Sequence, residues 1–166
     1  RAPKLHFGND DDLKSDTSDK VKTMKELLEE GHYLTVVTNG SMTKHFEEIT
    51  TWDEKLRKHI MFKFSFHYLE LIRLNMMDKF FDNVRMMRDC GASISVEITP
   101  NDELIPYIDD IKNICMKEVG ALCHITIARD DLSPEIKHLS KLSFEDFIRT
   151  WSTFDSELLR FKETIF

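Results

Sequence analysis

The sequence is short of cysteine, of positive charge and of long apolar runs, and each shortage removes a class of protein. Its three cysteines are Cys90, Cys115 and Cys123. An odd and sparse set makes no disulfide framework, so a reducing, cytoplasmic setting is expected. Their spacing matches no zinc or iron–sulfur signature, and each is expected to act as a small buried hydrophobe. Lys and Arg total 23 against 30 Asp and Glu, giving a net charge of -7 and a pI near 5.5. That balance argues against a nucleic-acid-binding domain, which carries a basic stripe, and against a polybasic membrane patch. No apolar run approaches the roughly 18 residues that span a bilayer, and the opening RAPKLHFGND is too polar for a signal peptide. What is present is ordinary for a soluble globular chain of 166 residues with a real core: 41% hydrophobic and 32% charged residues.

The pattern within the chain is more informative. In HIMFKFSFHY (His59–Tyr68), Ile60, Phe62, Phe64 and Phe66 alternate with Met61, Lys63, Ser65 and His67. Period two marks a strand with one aromatic face and one polar face. Further strands are expected at KLHFG (Lys4–Gly8), YLTVVTNG (Tyr33–Gly40), Ala92–Thr99 and Leu122–Ala128. Between them fall helical patterns. One begins near Asp16–Ser18 with Val21, Met24, Leu27 and Leu28 inward. Others are expected at Met42–Ile49 and Trp52–Lys58, and from Met76 with Phe80, Phe81, Val84 and Met87 inward. A helix from Leu104 to Val119 has Ile108, Ile111, Cys115 and Met116 inward, and two more close the chain near Ser143–Arg149 and Phe154–Thr164. Repeated βα units of this size predict a parallel sheet covered by helices.

The polar halves of the strands are consistent with one another. Lys4 and His6, Thr35 and Asn39, Lys63, Ser65 and His67, Ser93, Ser95, Glu97 and Thr99, and His124 and Thr126 each oppose apolar neighbours. A doubly wound sheet would bury both faces and read as continuous apolar runs. The alternation instead predicts a curved parallel sheet, part of a partial TIM-like barrel, with helices on the outer face and a polar cavity within. The competing reading is a polar face open to water.

Four segments resemble the core of the radical S-adenosylmethionine (radical SAM) enzymes, a partial (βα)6 barrel. LTVVTNG resembles the family's third strand and FKFSFHY the fourth. FDNVRMMRDCGASISVEITPND resembles the following helix and fifth strand, and CHITIARDD the sixth. KLHFGNDDDL sits where the second strand and its Gly-Gly-Glu-Pro motif would be, with Gly8 retained and NDDD following. On this resemblance, residues 1–140 are the barrel from its second to its sixth strand, and residues 141–166 are helices continuing beyond it. The family's C-x-x-x-C-x-x-C triad would precede residue 1, so the chain is expected to be a fragment, inactive alone and without a cluster. The resemblance implies reductive cleavage of S-adenosylmethionine at a [4Fe–4S] cluster in the whole protein. It implies cofactor contacts at Ser65, Thr38, Asn39, Glu97 and Thr99, and a substrate-facing set of Lys63, His67 and His6. The substrate, a small molecule or a peptide, is not identified, and cut sheet edges would invite self-association.

Other readings stand beside these. Asn39-Gly40 also reads as a plain turn, Glu97 as an ion-pair partner of Lys63, and His67 as a hydrogen-bonded wall residue. Asp10, Asp11 and Asp12 read as a solvated loop more readily than as a metal site. At the level of function, another βα-barrel enzyme could use Lys63, Glu97 and His67 for acid–base or Schiff-base chemistry, and a non-enzymatic βα binding module is the third reading.

Overall fold

The computed structural model describes residues 4–7, 17–127, 140–152 and 154. Its strands are β1 (Lys4–Phe7), β2 (Leu34–Thr38), β3 (Ile60–Ser65), β4 (Ser93–Ile98) and β5 (His124–Ile125). Its helices are α1 (Thr17–Glu29), α2 (Thr43–Thr50), α3 (Glu54–Arg57), α4 (Tyr68–Arg73), α5 (Met77–Asp89), α6 (Ile108–Glu118) and α7 (Phe144–Trp151), with a 3₁₀ turn at Asp102–Tyr107. The strands form one sheet in the order β1-β2-β3-β4-β5, and the pairs β1–β2, β2–β3 and β4–β5 are parallel. The expected α/β class with repeated βα units is therefore present. By contacts the chain falls into two compact units, one of described residues up to Ser65 with Glu70–Val96, the other of Phe66–Leu69 and described residues from Glu97 onward. This division is one of contacts, and differs in kind from the 1–140 and 141–166 division that the resemblance implies.

In the first unit the strand order equals the chain order. Crossovers between parallel strands are as a rule right-handed, so that order steps each one the same way and leaves its helix on the same face. The side chains show the result. Leu34 stands in register with Ile60, Val36 with Phe62 and Thr38 with Phe64, and all six are buried. Phe46 of α2 packs on Phe62 and Phe64 at ring-centroid distances of 5.8 and 5.6 Å. Phe80 of α5 meets Phe64 edge-on at 6.0 Å and Phe81 at 5.1 Å. Such ring pairs add to the large apolar area each ring removes from water. The alternate residues differ: Met61 is exposed, and Lys63 and Ser65 are half-buried. The expected segregation of β3 into an aromatic helix-covered face and a polar face holds.

Helix α5 carries Phe80, Phe81, Val84 and Met87 inward as its spacing requires. It ends at Cys90, after which Gly91 takes φ +92° and its amide bonds the Arg88 carbonyl, a left-handed stop that glycine adopts without strain. Helix α3 starts where the Asp53 carboxylate accepts the Lys55 amide at 2.8 Å.

The structure departs from the sequence reading in three places. The strand expected through Tyr68 stops at Ser65, because Phe66 and His67 form a link and Tyr68 opens α4. That helix was hidden by the continuing alternation, and the turn after it is made by Asn75 at φ +52° in place of a glycine. The single helix expected over Leu104–Val119 is two pieces. Pro106 has no amide hydrogen and its ring crowds the preceding turn, so Asp102–Tyr107 is 3₁₀ and α6 begins at Ile108. Ile111 and Cys115 are buried in α6 as expected, but Met116 is 50% exposed and Ile108 half-buried. The strand expected over Leu122–Ala128 reduces, among the described residues, to His124–Ile125. Its immediate neighbours are buried Cys123 and exposed Thr126. Helix α7 begins as expected at a capping serine, with Ser143 Oγ accepting the Asp146 amide at 3.1 Å and donating to its carboxylate at 2.8 Å.

Candidate functional site

Parallel strands bring their carboxyl ends to one edge of the sheet, where α/β proteins bind ligands. In the first unit this edge is built by the end of β2 and the end of β3. The chain leaves β2 through Thr38-Asn39-Gly40-Ser41, and three side chains fix the loop. Thr38 Oγ1 accepts the Gly40 amide at 3.1 Å. Asn39 Oδ1 accepts both the Ser41 amide at 3.1 Å and the Ser41 hydroxyl at 2.7 Å. Asn83 Nδ2 donates to the Gly40 carbonyl at 2.8 Å and to Thr43 Oγ1 at 3.1 Å. Gly40 itself sits at φ +73°, and a Cβ there would lie 2.7 Å from the Phe80 ring. Only glycine satisfies both the backbone and the space.

The residues named from the sequence separate on this frame. Thr38 is 3% exposed and shares the helix-covered face with Phe64, so its hydroxyl serves the turn. Asn39 is half-buried, its carbonyl oxygen taken by Ser41. Its amide NH₂ makes no hydrogen bond among the described residues, and neither does the hydroxyl of half-buried Ser65. These two groups offer donors, and the hydroxyl an acceptor, at the strand ends. Lys63, half-buried, stands in register with Val37, which pairs in turn with His6 of β1. Ser95 is half-buried on β4.

In the second unit, Glu97 is half-buried near the end of β4 and its carboxylate accepts the Thr126 hydroxyl at 3.4 Å. Its carbonyl accepts the Phe66 amide at 2.7 Å. His67 and Thr99 are exposed in the segments that follow β3 and β4. Tyr68 packs against Tyr107 with ring centroids 5.6 Å apart. Burial, reinforced by the negative charge of Asp110, pushes its phenol above the usual range, so it stays protonated. Asp10, Asp11 and Asp12 lie outside the described residues.

Cys115 of α6 and Cys123, just before β5, are both buried and adjoin each other. A hydrogen bond from Cys123 lowers the Cys115 thiol, whereas the same bond and burial raise Cys123. Cys90 is half-buried and donates to the Met87 carbonyl at 3.2 Å. Among the described residues no group of three or more His, Cys, Asp or Glu could hold a metal ion. No helix among them is long and apolar enough to cross a membrane.

On the helix-covered side of the first unit, Val36, Thr38, Met42, His45, Phe46, Ile49 and Phe62 line a cavity of about 10 Å³. That is room for about one water, far below the roughly 300–1,000 Å³ typical of ligand pockets, and it lies away from the polar strand face.

Two residues of this edge were missed in the sequence: Ser41 and Asn83. The signal for Asn83 was there. It lies three residues after Phe80 and four before Met87, on the apolar side of α5, and is 1% exposed. An amide at a core position needs hydrogen-bond partners, and so marks something it must hold. No family model, no curated protein and no solved structure matches this chain.

Proposed function

We propose that the chain is part of a radical S-adenosylmethionine enzyme core, and that its strand ends receive the polar groups of S-adenosylmethionine. The observation that carries this reading is the sequential strand order β1-β2-β3-β4-β5, with β1–β2, β2–β3 and β4–β5 parallel, the order in which strands run round a βα barrel. In support, the motifs that resemble the family fall at strand ends: Thr38-Asn39-Gly40 closes β2 and Ser65 closes β3.

The first-unit edge fits a ligand with hydroxyl and carboxylate groups. The Asn39 amide donates, and the Ser65 hydroxyl both donates and accepts, which suits a ribose diol or a carboxylate. The rigid turn holds these groups in place before the ligand arrives, and this lowers the ordering cost of binding. The aromatic packing behind β3 keeps water from the other side of the strand. The described residues do not fit a [4Fe–4S] cluster. Cys90 is engaged with Met87, and Cys115 and Cys123 are buried together. On this reading the cluster ligands come from other residues of the protein, and the described residues bind and orient the cofactor.

The test is the full-length reading frame. A C-x-x-x-C-x-x-C triad encoded within some tens of residues before Arg1 supports the assignment. A complete frame without one removes it, and leaves another βα-barrel enzyme or a binding module.

A further inference from the structure

We propose that Asn83 is a positioning residue: from inside α5 it holds the Asn39–Ser41 loop so that the Asn39 amide is presented at the strand edge. Asn83 is 1% exposed on a helix face otherwise made of Phe80, Phe81, Val84 and Met87. Both hydrogens of its amide are used, one on the Gly40 carbonyl at 2.8 Å and one on Thr43 Oγ1 at 3.1 Å. The orientation is dictated, since a flipped amide would set its oxygen against the Gly40 carbonyl oxygen. Asn83 Oδ1 is left buried with no hydrogen-bond partner. A buried acceptor without a donor is unfavourable, so the residue is a poor choice for packing alone. Its value lies in the loop.

The loop depends on it for a specific reason. The Gly40 amide is held by Thr38 from within the same turn. The Gly40 carbonyl is held from 43 residues away. Without that second hold, the peptide after Gly40 is free to rotate. The Ser41 amide lies in that same planar peptide, so the rotation pulls it off Asn39 Oδ1 and releases the Asn39 side chain. The bond to Thr43, the first residue of α2, ties the same amide to the start of the next helix. One side chain thus sets the strand exit and the helix entry together.

The test uses Asn83→Asp, Asn83→Leu and Thr43→Val in the full-length protein, with amide hydrogen exchange as the main readout. Asn83→Asp keeps the shape and removes the donors, and Asn83→Leu also removes the orphan acceptor. Thr43→Val leaves the Gly40 bond intact, so it serves should the Asn83 variants fail to fold. Exchange at Gly40–Thr43 is expected to rise about tenfold or more in both Asn83 variants, the scale of a lost hydrogen bond. It should rise less in Thr43→Val. Exchange at Phe62 and Phe64 should stay as in the wild type. Unchanged loop exchange overturns the proposal, and so does an equal rise throughout the core, which would mark a merely structural role. A second arm rests on the proposed function: S-adenosylmethionine should bind more weakly to both Asn83 variants than to the wild type. A loosened loop with unaltered binding overturns the presentation of Asn39. If the wild type itself does not bind S-adenosylmethionine, the cofactor reading fails and the exchange data alone decide the role of Asn83.

Discussion

Strands β3 and β5 look alike in the sequence and differ in the structure. IMFKFSF and CHITI both alternate apolar and polar residues. Strand β3 runs for 6 residues, with a five-pair register to β2. Strand β5 runs for 2, with a two-pair register to β4. Alternation says which side chains share a face. It does not say how much packing that face receives. On β3, Phe62 and Phe64 meet the rings of Phe46 and Phe80 from two helices. On β5, Ile125 and the preceding Cys123 are buried, but no ring contact backs them among the described residues, and His124 and Thr126 are exposed. Strand length follows the contacts that reward extended backbone.

The comparison can be broken by truncation. Phe64→Ala removes a ring that touches Phe46, Phe62 and Phe80, and is expected to cost about 3–5 kcal/mol in a denaturant melt. Ile125→Ala is expected near the low end for its type, about 2 kcal/mol, because little ladder depends on it. Equal losses would mean that β5 carries as much packing as β3. A smaller effect sharpens the contrast through thiol labelling of the native protein. Half-buried Cys90 should react first, and the buried pair Cys115 and Cys123 only on opening. Early loss of Cys115 or Cys123 would show that the second unit opens readily around β5.

These contrasts mark what could be read in advance. The α/β class, the parallel βα repeat and the two faces of β3 follow from periods that single residues rarely disturb. The end of β3 did not, because Phe66 and Tyr68 continue the alternation and yet belong to a link and a helix. The break in the helix after Asn101 was written in Pro106, but the apolar period ran across it. At the site, Ser65 and Asn39 were legible as polar residues at strand ends. Thr38 was misplaced by its motif, since its register with Phe64 turns it to the helix-covered face. Asn83 was overlooked because its partners lie 40 and 43 residues away in the chain, a distance that no local pattern spans.

The central claim is that the polar side of β3 lines a binding site while its aromatic side holds the fold. It is tested most directly by Ser65→Ala, measured by titration with S-adenosylmethionine, the ligand of the proposed function, and by a denaturant melt. The account predicts weaker binding by about 1–3 kcal/mol, the cost of leaving a charged or buried partner without its donor, and a melt close to wild type because Ala leaves no large cavity. Wild-type binding with an early melt would contradict it, and would make Ser65 a structural residue.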